Sequence, residues 1–146
     1  MKKSLFIISF FILILSSFAY ADEFNYTQML NDLQGIRSQA NNNLANVPGI
    51  VFTIIGDVNV NIHLDAPSRD IDLILVLEDE IITRLEEGSL SDPDLEIGVE
   101  EADLVNIRDA PDALAEIRRQ INDDEISLTP HGFFMRLRIV ALRAWA

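Results

Sequence analysis

The chain has 146 residues, no cysteine, and 24 acidic against 11 basic side chains, which gives a net charge of −13. The absence of cysteine excludes disulfides, a cysteine-linked lipid anchor and thiolate metal sites. The acidic balance argues against nucleic-acid binding, because neutralising phosphates requires clustered positive charge.

The N-terminus is typical of a secretory signal peptide, which we predict at residues 1–21. Two lysines precede an apolar run at residues 5–15, and an Ala-x-Ala sequence ends at Ala21. This layout predicts export and cleavage after Ala21, since the run is shorter than the roughly 20 apolar residues of a membrane span. An uncleaved N-terminal membrane anchor is the alternative. Residues 22–146 are then long enough for one domain.

A helix is predicted at the start of this domain. Between Phe24 and Val47 apolar residues recur at spacings of three and four, the pattern of one apolar helix face. Pro48-Gly49 ends the helix. The apolar residues at 49–57 are predicted to form a short strand that ends in a tight turn.

Strands follow in the middle of the chain. Residues 58–65 alternate strictly between apolar and polar side chains, so we expect one face of this strand to be buried. Residues 71–77 read as a more buried strand. The acidic sequence at 78–80 predicts a turn, and residues 81–88 predict the returning strand.

The acid-rich segment Ser91–Val99 raises the question of a calcium loop, because acidic residues alternate from Asp92 onward. An EF-hand loop needs glycine at its sixth position and a bidentate glutamate at its twelfth. Counted from Asp92, the glycine comes one residue late, at Gly98, and the twelfth position is Asp103. The alternation at 95–99 fits a strand, with the preceding acids in a turn.

Two helices, a strand and a final helix complete the order of elements. The predicted helices are 100–110 and 111–121, with Pro111 in a first turn, and the strand is 125–128, followed by a Thr-Pro-His-Gly turn. Residues 133–146 predict the last helix, although a strand is an alternative there. Its apolar face would consist of Phe133, Phe134, Leu137, Val140, Ala141 and Ala144. The order predicts a single α+β domain, a mostly antiparallel five-stranded sheet covered by helices.

No set of side chains suggests catalysis. His63 lies on the polar side of a strand and His131 in a turn, so both are expected at the surface. The acidic residues concentrate in turns, where they are usually solvated. Phosphate-loop, dinucleotide-binding and nucleophile motifs do not occur. We therefore expect no enzyme activity, no cofactor and no metal site.

From Val51 onward the succession of elements resembles the sterol carrier protein family (type two, SCP-like). Residues 73–89 are similar to its hairpin and 92–107 to its turn, strand and short helix. Residues 108–121 resemble the helix that follows, and 124–142 the closing strand and apolar helix. This chain differs in having Asn-Asp-Asp where the family usually has a glycine before the last strand. It also lacks a C-terminal Ser-Lys-Leu peroxisomal signal.

The resemblance implies an apolar cavity between sheet and helices that holds a lipid or another apolar small molecule. The same side chains could instead fill a core, since pockets and cores are lined by the same residue types. The predicted lining is Leu104, Ile107, Leu114, Ile117, Ile121, Phe133, Phe134, Leu137 and Val140.

The C-terminal segment supports a hypothesis of another class. After Glu125 there is no acid, and Arg136, Arg138 and Arg143 are interleaved with aromatic residues that include Trp145. Such a segment resembles an interfacial helix that docks on a membrane or a protein partner. Alternatively, it is the last core helix, with its arginines paired to the acidic body of the domain.

Overall fold

The structure is a computed structural model that describes residues 19–20, 23–24, 26–44, 56–67, 69–133, 135–137 and 139–140. Its helices are α1 (Tyr26–Asn31), α2 (Leu33–Leu44), α3 (Glu101–Asp109) and α4 (Ala113–Asn122). Residues 133, 135–137 and 139–140 are also helical. Its strands are β1 (Ala19–Tyr20), β2 (Glu23–Phe24), β3 (Val58–Asp65), β4 (Ile71–Glu78), β5 (Ile81–Glu87), β6 (Leu95–Glu100) and β7 (Ser127–Pro130).

Five strands form one sheet in the order β5-β4-β3-β6-β7. Only β3 and β6 pair in parallel, and the other three pairs are antiparallel. The α+β prediction with a mostly antiparallel five-stranded sheet is therefore confirmed. Strand β6 is an inner strand of the sheet, because β3 pairs along one side of it and β7 along the other.

The inner face of the sheet is built by the alternation that the sequence shows. Ile62 of β3 lies opposite Leu73 of β4 and Ile97 of β6, and all three side chains are buried. Helices α1 to α4 contribute to the same apolar cluster. Burying one such side chain stabilises the fold by about 1.5–3 kcal/mol, so this layer is the main source of stability.

The connection between β5 and β6 crosses the outer face of the sheet. The segment starts at one edge and ends beyond β3, and it passes over Asn61, whose side chain bonds to Ser89 and Leu90. Gly88 lies against Ile74, with 3.2 Å between the position of a Cβ at Gly88 and Ile74 Cδ1. Asn61 and Ile74 are consequently buried although their strand positions face outward.

The predicted N-terminal helix is two helices. Its buried residues, Met29, Ile36 and Ala40, keep one face, but the helix is interrupted at Asp32. The side chain of Asp32 lies over Gly35, where a Cβ would come within 2.2 Å of Asp32 Oδ1. Asp and Gly are poor helix formers, which explains the interruption. The predicted helix end after Leu44 and most of the strand at 49–57 lie outside the described residues.

Among the boundaries that differ from the sequence prediction are the start of α4 and both ends of β7. Asp112 caps α4, since its Oδ1 accepts a hydrogen bond from the amide of Ala115 at 3.0 Å; Pro111 therefore precedes the cap instead of lying in the first turn. Strand β7 extends through Pro130 rather than ending at Leu128. Proline is tolerated there because β7 is an edge strand that needs no donor on its free side.

A short antiparallel ribbon lies at the N-terminus. Ala19 pairs with Phe24 and Tyr20 with Glu23, and both strands approach α3. The predicted cleavage site after Ala21 falls between the two strands of this ribbon.

Candidate ligand-binding site

Four of the predicted lining residues form a continuous apolar layer between α3 and α4. Leu104 and Ile107 on α3, and Ile117 and Ile121 on α4, are each 0 % exposed. Their spacings of three and four place them on one face of each helix, toward the sheet. This part of the predicted lining lies together in the interior of the domain.

The C-terminal helix is rotated relative to its predicted orientation. The sequence predicts Phe133, Leu137 and Val140 to line the cavity, but the structure leaves them 69 %, 51 % and 64 % exposed. The buried side chains are instead Met135 and Ile139, which are not among the predicted lining residues. Their i, i+4 spacing was a visible signal, but the sequence offers an apolar stripe on the opposite face as well. The side chains of the two other predicted lining residues, Leu114 and Phe134, lie outside the described part.

A polar group is inserted into this apolar layer. Gln120 on α4 is completely buried, and its Nε2 donates to the carbonyl oxygen of Asp103 at 3.2 Å and to Glu116 Oε1 at 2.9 Å. Its Oε1 is buried and accepts no hydrogen bond from the described part of the chain. Both partners of Nε2 are oxygen atoms that accept hydrogen bonds. If the amide were flipped, its own oxygen would face these two oxygens and no hydrogen bond could form. The orientation of this amide is therefore defined by its partners.

The neighbouring carboxyl group of Asp103 is also buried. Burial raises its pKa, although the amide of Glu100, which donates to Asp103 Oδ2 at 3.2 Å, opposes that shift. The amide belongs to the residue that caps α3. Asp103 thus fixes the start of α3 while its carbonyl oxygen holds Gln120, which links the two helices.

An open cleft of about 460 Å³ lies on the other side of α3. Val105 is part of its wall, whereas Leu104 on the same helix faces the core. Glu101, which lines the cleft, is hydrogen-bonded to the hydroxyl of Tyr26. Burial of this hydroxyl and its bond to Glu101 raise the pKa of Tyr26 well above its ordinary value. The cleft is lined by apolar and by acidic residues, and two of the acidic residues, Asp65 of β3 and Glu100 of β6, lie directly opposite each other in the sheet. Its walls include Asp65, Ala66, Pro67, Glu100, Glu101 and Val105.

Both histidines lie within hydrogen-bond distance of a carboxylate on the solvent side of the sheet. His63 Nδ1 lies 2.7 Å from Asp72 Oδ1, and His131 Nε2 lies 2.7 Å from Glu96 Oε2. The hydrogen bond to Asp72 raises the pKa of His63. Within the described ranges, no three acidic or histidine side chains are grouped so as to hold a metal ion.

Of the four residues predicted to dock on a membrane or partner, the structure describes the side chain of Arg136 alone. This side chain is exposed. The predictions for Arg138, Arg143 and Trp145 fall outside the described side chains. None of the helices that the structure describes has the length and apolar character needed to span a bilayer.

No protein-family model and no curated protein matches the chain, but it is similar to solved structures of sterol carrier type. A protein described as a UbiJ-SCP2 ubiquinone synthesis protein is 17 % identical, with a TM-score of 0.48, over 83 % of this chain and 93 % of that chain. The crystal structure of sterol carrier protein 2 like 2 from Aedes aegypti is 14 % identical, with a TM-score of 0.46, over 75 % and 94 % of the two chains. A solution structure of the palmitated Aedes aegypti protein is 12 % identical, with a TM-score of 0.46, over 74 % and 88 %.

Proposed function

We propose that this chain is an exported, non-catalytic protein that binds a lipid or another apolar small molecule between its sheet and its helices. The observation that carries the proposal is the buried Oε1 of Gln120, which accepts no hydrogen bond from the described residues and belongs to a helix whose Ile117 and Ile121 are also fully buried. A buried acceptor left unsatisfied costs about 1–3 kcal/mol. A core that is merely filled gains nothing from that cost, whereas a binding site uses the acceptor to fix the polar end of its ligand.

The chemistry of this acceptor predicts the kind of ligand. An amide oxygen accepts hydrogen bonds, so the polar end of the ligand must donate one, as a hydroxyl or amide group does. An ionised carboxylate has no proton to donate. Glu116 lies against the same amide, and its negative charge disfavours an anionic ligand as well. We therefore expect neutral, hydroxyl-bearing apolar molecules to bind better than ionised fatty acids of the same length.

Native mass spectrometry of the exported protein tests this function. We expect a discrete added mass that is lost on extraction with organic solvent. The extracted protein is then offered hexadecanol or palmitate, which share a chain length and differ in the polar end, and hexadecanol should bind better. A protein without added mass, which stays so after incubation with fatty acids, sterols and phospholipids, would show that the interior is a filled core.

Two variants connect the result to the acceptor. Gln120→Met replaces the buried amide by an apolar side chain of similar length, and should abolish the preference for hexadecanol. Gln34→Met makes the same change at an exposed position of α2 and should leave the preference intact. If Gln120→Met keeps the full preference, Gln120 does not contact the ligand.

The intact mass of the exported protein also tests its processing. Cleavage after Ala21 gives a chain that begins at Asp22 and lacks β1, so the ribbon would exist only in the precursor. A protein that keeps Met1 and remains with the membrane would support the anchored alternative. Turnover of an ester or lipid that is lost on changing a single Asp or Glu would contradict the non-catalytic assignment.

A further inference from the structure

The helical residues 133, 135–137 and 139–140 carry apolar side chains on two opposite faces. Met135 and Ile139 point into the domain and are 7 % and 6 % exposed. Phe133, Leu137 and Val140 follow one another at spacings of four and three, and all are more than half exposed. Three large apolar side chains in one stripe are unusual on a solvated surface and mark a contact site. The inner pair anchors the helix to the domain, while Leu137 and Val140 of the outer stripe stay more than half exposed.

A positive charge borders this stripe. Arg136 comes three residues after Phe133 and four before Val140, so it lies along the same side of the helix. Its side chain is exposed, and no ion pair with it is found in the part of the chain that the structure describes. This is notable because acidic residues are abundant elsewhere in the chain. Phe133, Arg136, Leu137 and Val140 together are called the C-terminal face below.

The charge of the whole chain is divided at Glu125. Residues 22–125 contain all 24 acidic residues and 6 arginines, a net charge of −18, whereas residues 126–146 contain 3 arginines and no acid. An anionic surface therefore repels most of the molecule and attracts its C-terminal segment. This asymmetry would orient the molecule as it approaches such a surface, with the C-terminal face foremost.

We propose that the C-terminal face docks on a lipid bilayer that contains anionic lipids. An apolar helix stripe bordered by arginine is the arrangement by which helices lie in the membrane interface. The apolar side chains enter the acyl boundary while the arginine stays at the level of the headgroups. The inference does not depend on a ligand cavity, because it concerns only the outer surface of this helix.

Vesicle flotation with the full exported chain tests the proposal. Vesicles of phosphatidylcholine are compared with vesicles that also contain phosphatidylglycerol. We expect flotation with the anionic vesicles, a much weaker effect with phosphatidylcholine alone, and a decrease as salt screens the charges. A protein that floats with neither vesicle would overturn the proposal, whatever the outcome of the ligand experiments.

Substitutions at matched positions locate the contact. Leu137→Glu and Val140→Glu should each weaken binding to anionic vesicles at least about tenfold, because burying one such side chain corresponds to roughly that factor. Ile81→Glu is the control: Ile81 is 50 % exposed, against 51 % for Leu137, and lies in the β4–β5 hairpin. It should bind like the wild type. Equal losses at positions 81 and 137 would show that the contact is not the C-terminal face.

The charge is tested separately from the apolar stripe. Arg136→Glu should reduce binding to anionic vesicles, and Arg136→Lys should largely restore it. Urea unfolding of every variant confirms that these exposed positions leave the fold intact. If instead the wild-type chain forms dimers that Leu137→Glu dissociates, and vesicles do not bind, the face contacts a second copy and the membrane proposal is wrong.

Discussion

The side-chain amide of Asn61 bonds to both backbone polar groups of Leu90. Its Nδ2 donates to the carbonyl oxygen of Leu90 at 2.9 Å, and its Oδ1 accepts from the amide of Leu90 at 2.8 Å. Nδ2 also lies 3.2 Å from Ser89 Oγ. The amide thereby takes the place of a neighbouring strand for a segment that crosses the outer face of the sheet. Asn61 holds the connection between β5 and β6 in position.

Replacing Asn61 should therefore cost more than replacing an ordinary polar residue of a strand. Asn61→Ala leaves the amide and the carbonyl of Leu90 without partners under partial burial, so we expect the free energy of unfolding to fall by about 2–3 kcal/mol. Urea unfolding measures this. Asn59→Ala on the same face of β3 is the control, because the bonds from Asn59 to Asp94 use its backbone amide and carbonyl. Equal losses in both variants would contradict the role assigned to Asn61.

A second asparagine protects an edge of the sheet in the same way. Asn41 of α2 donates through Nδ2 to the carbonyl oxygen of Ile82 at 3.0 Å and accepts through Oδ1 from its amide at 2.7 Å. Arg37 Nη1 donates to the carbonyl oxygen of Thr83 at 3.1 Å. An edge strand with free backbone groups is a template for pairing with another chain. Helix α2 covers that edge on β5.

Asn41→Ala should consequently affect self-association as well as stability. We expect a loss of about 1–2 kcal/mol in the free energy of unfolding and an increase in oligomers by light scattering, since the edge of β5 becomes available. Asn42→Ala, at the adjacent and exposed position, should do neither. If the Asn41 variant loses stability and stays monomeric, the bond stabilises α2 without protecting the edge.

The sequence predicts the sheet well because its signal is local. From Val58 to Leu64 apolar side chains alternate with polar ones, and the apolar ones are buried and the polar ones exposed, apart from the buried Asn61. Asn61 departs because the segment that covers it is distant in sequence and has no periodicity of its own. The predicted orientation of the C-terminal helix is wrong for another reason. Met135 and Ile139 form one apolar stripe of the helix, and Phe133, Leu137 and Val140 form an equally regular one. Only packing against the rest of the domain decides which stripe is buried. The sequence does not predict the burial of Gln120, because a polar residue on an amphipathic helix is ordinarily expected at the surface.

The hairpin between β4 and β5 stores backbone strain. Asp79 and Glu80 have φ angles of 49° and 68°, a conformation that a two-residue type I′ turn requires and that favours glycine. Glu80→Gly should raise the free energy of unfolding by about 0.5–1 kcal/mol, because the relief of strain exceeds the added entropy of the unfolded chain. Glu80→Ala keeps the strain and should give no gain in urea unfolding. A gain of the same size from alanine would point to charge repulsion as the cause.

The pair of His63 and Asp72 should make stability depend on pH near neutrality. The hydrogen bond to Asp72 raises the pKa of His63 above 6.5. A raised pKa gives stability that is fully present below the unfolded value and is lost as the pH rises through the folded value. Asp72→Asn should lower the pKa of His63, as measured by NMR, and remove this pH-dependent stability. Asp70→Asn, which removes a weaker Coulombic contribution, should shift the pKa less; equal shifts would contradict the direct bond.

Arg119 should control the resistance of α4 to acid. Its guanidinium bonds to Glu116, Asp123 and Glu125 at distances of 2.7 to 3.1 Å. The bonds from Arg119, together with the hydrogen bond from Gln120, lower the pKa of Glu116 to about 2, and the bonds from Arg119 also lower the pKa of Glu125. A lowered pKa gives stability that is present above the unfolded value, near 4.3 for glutamate, and is lost as the pH falls through the folded value.

The difference in stability between wild type and Arg119→Met should therefore be constant from neutral pH down to about pH 5, and should disappear on approach to pH 2. Urea unfolding across this range measures it. Arg118→Met is the control, since it removes the same charge from the same helix without removing those bonds. All these side chains lie at the surface, where net charge alone also affects stability in an acidic protein. If both variants lose stability equally at every pH, net charge explains the effect, and the bonds to Arg119 contribute nothing of their own.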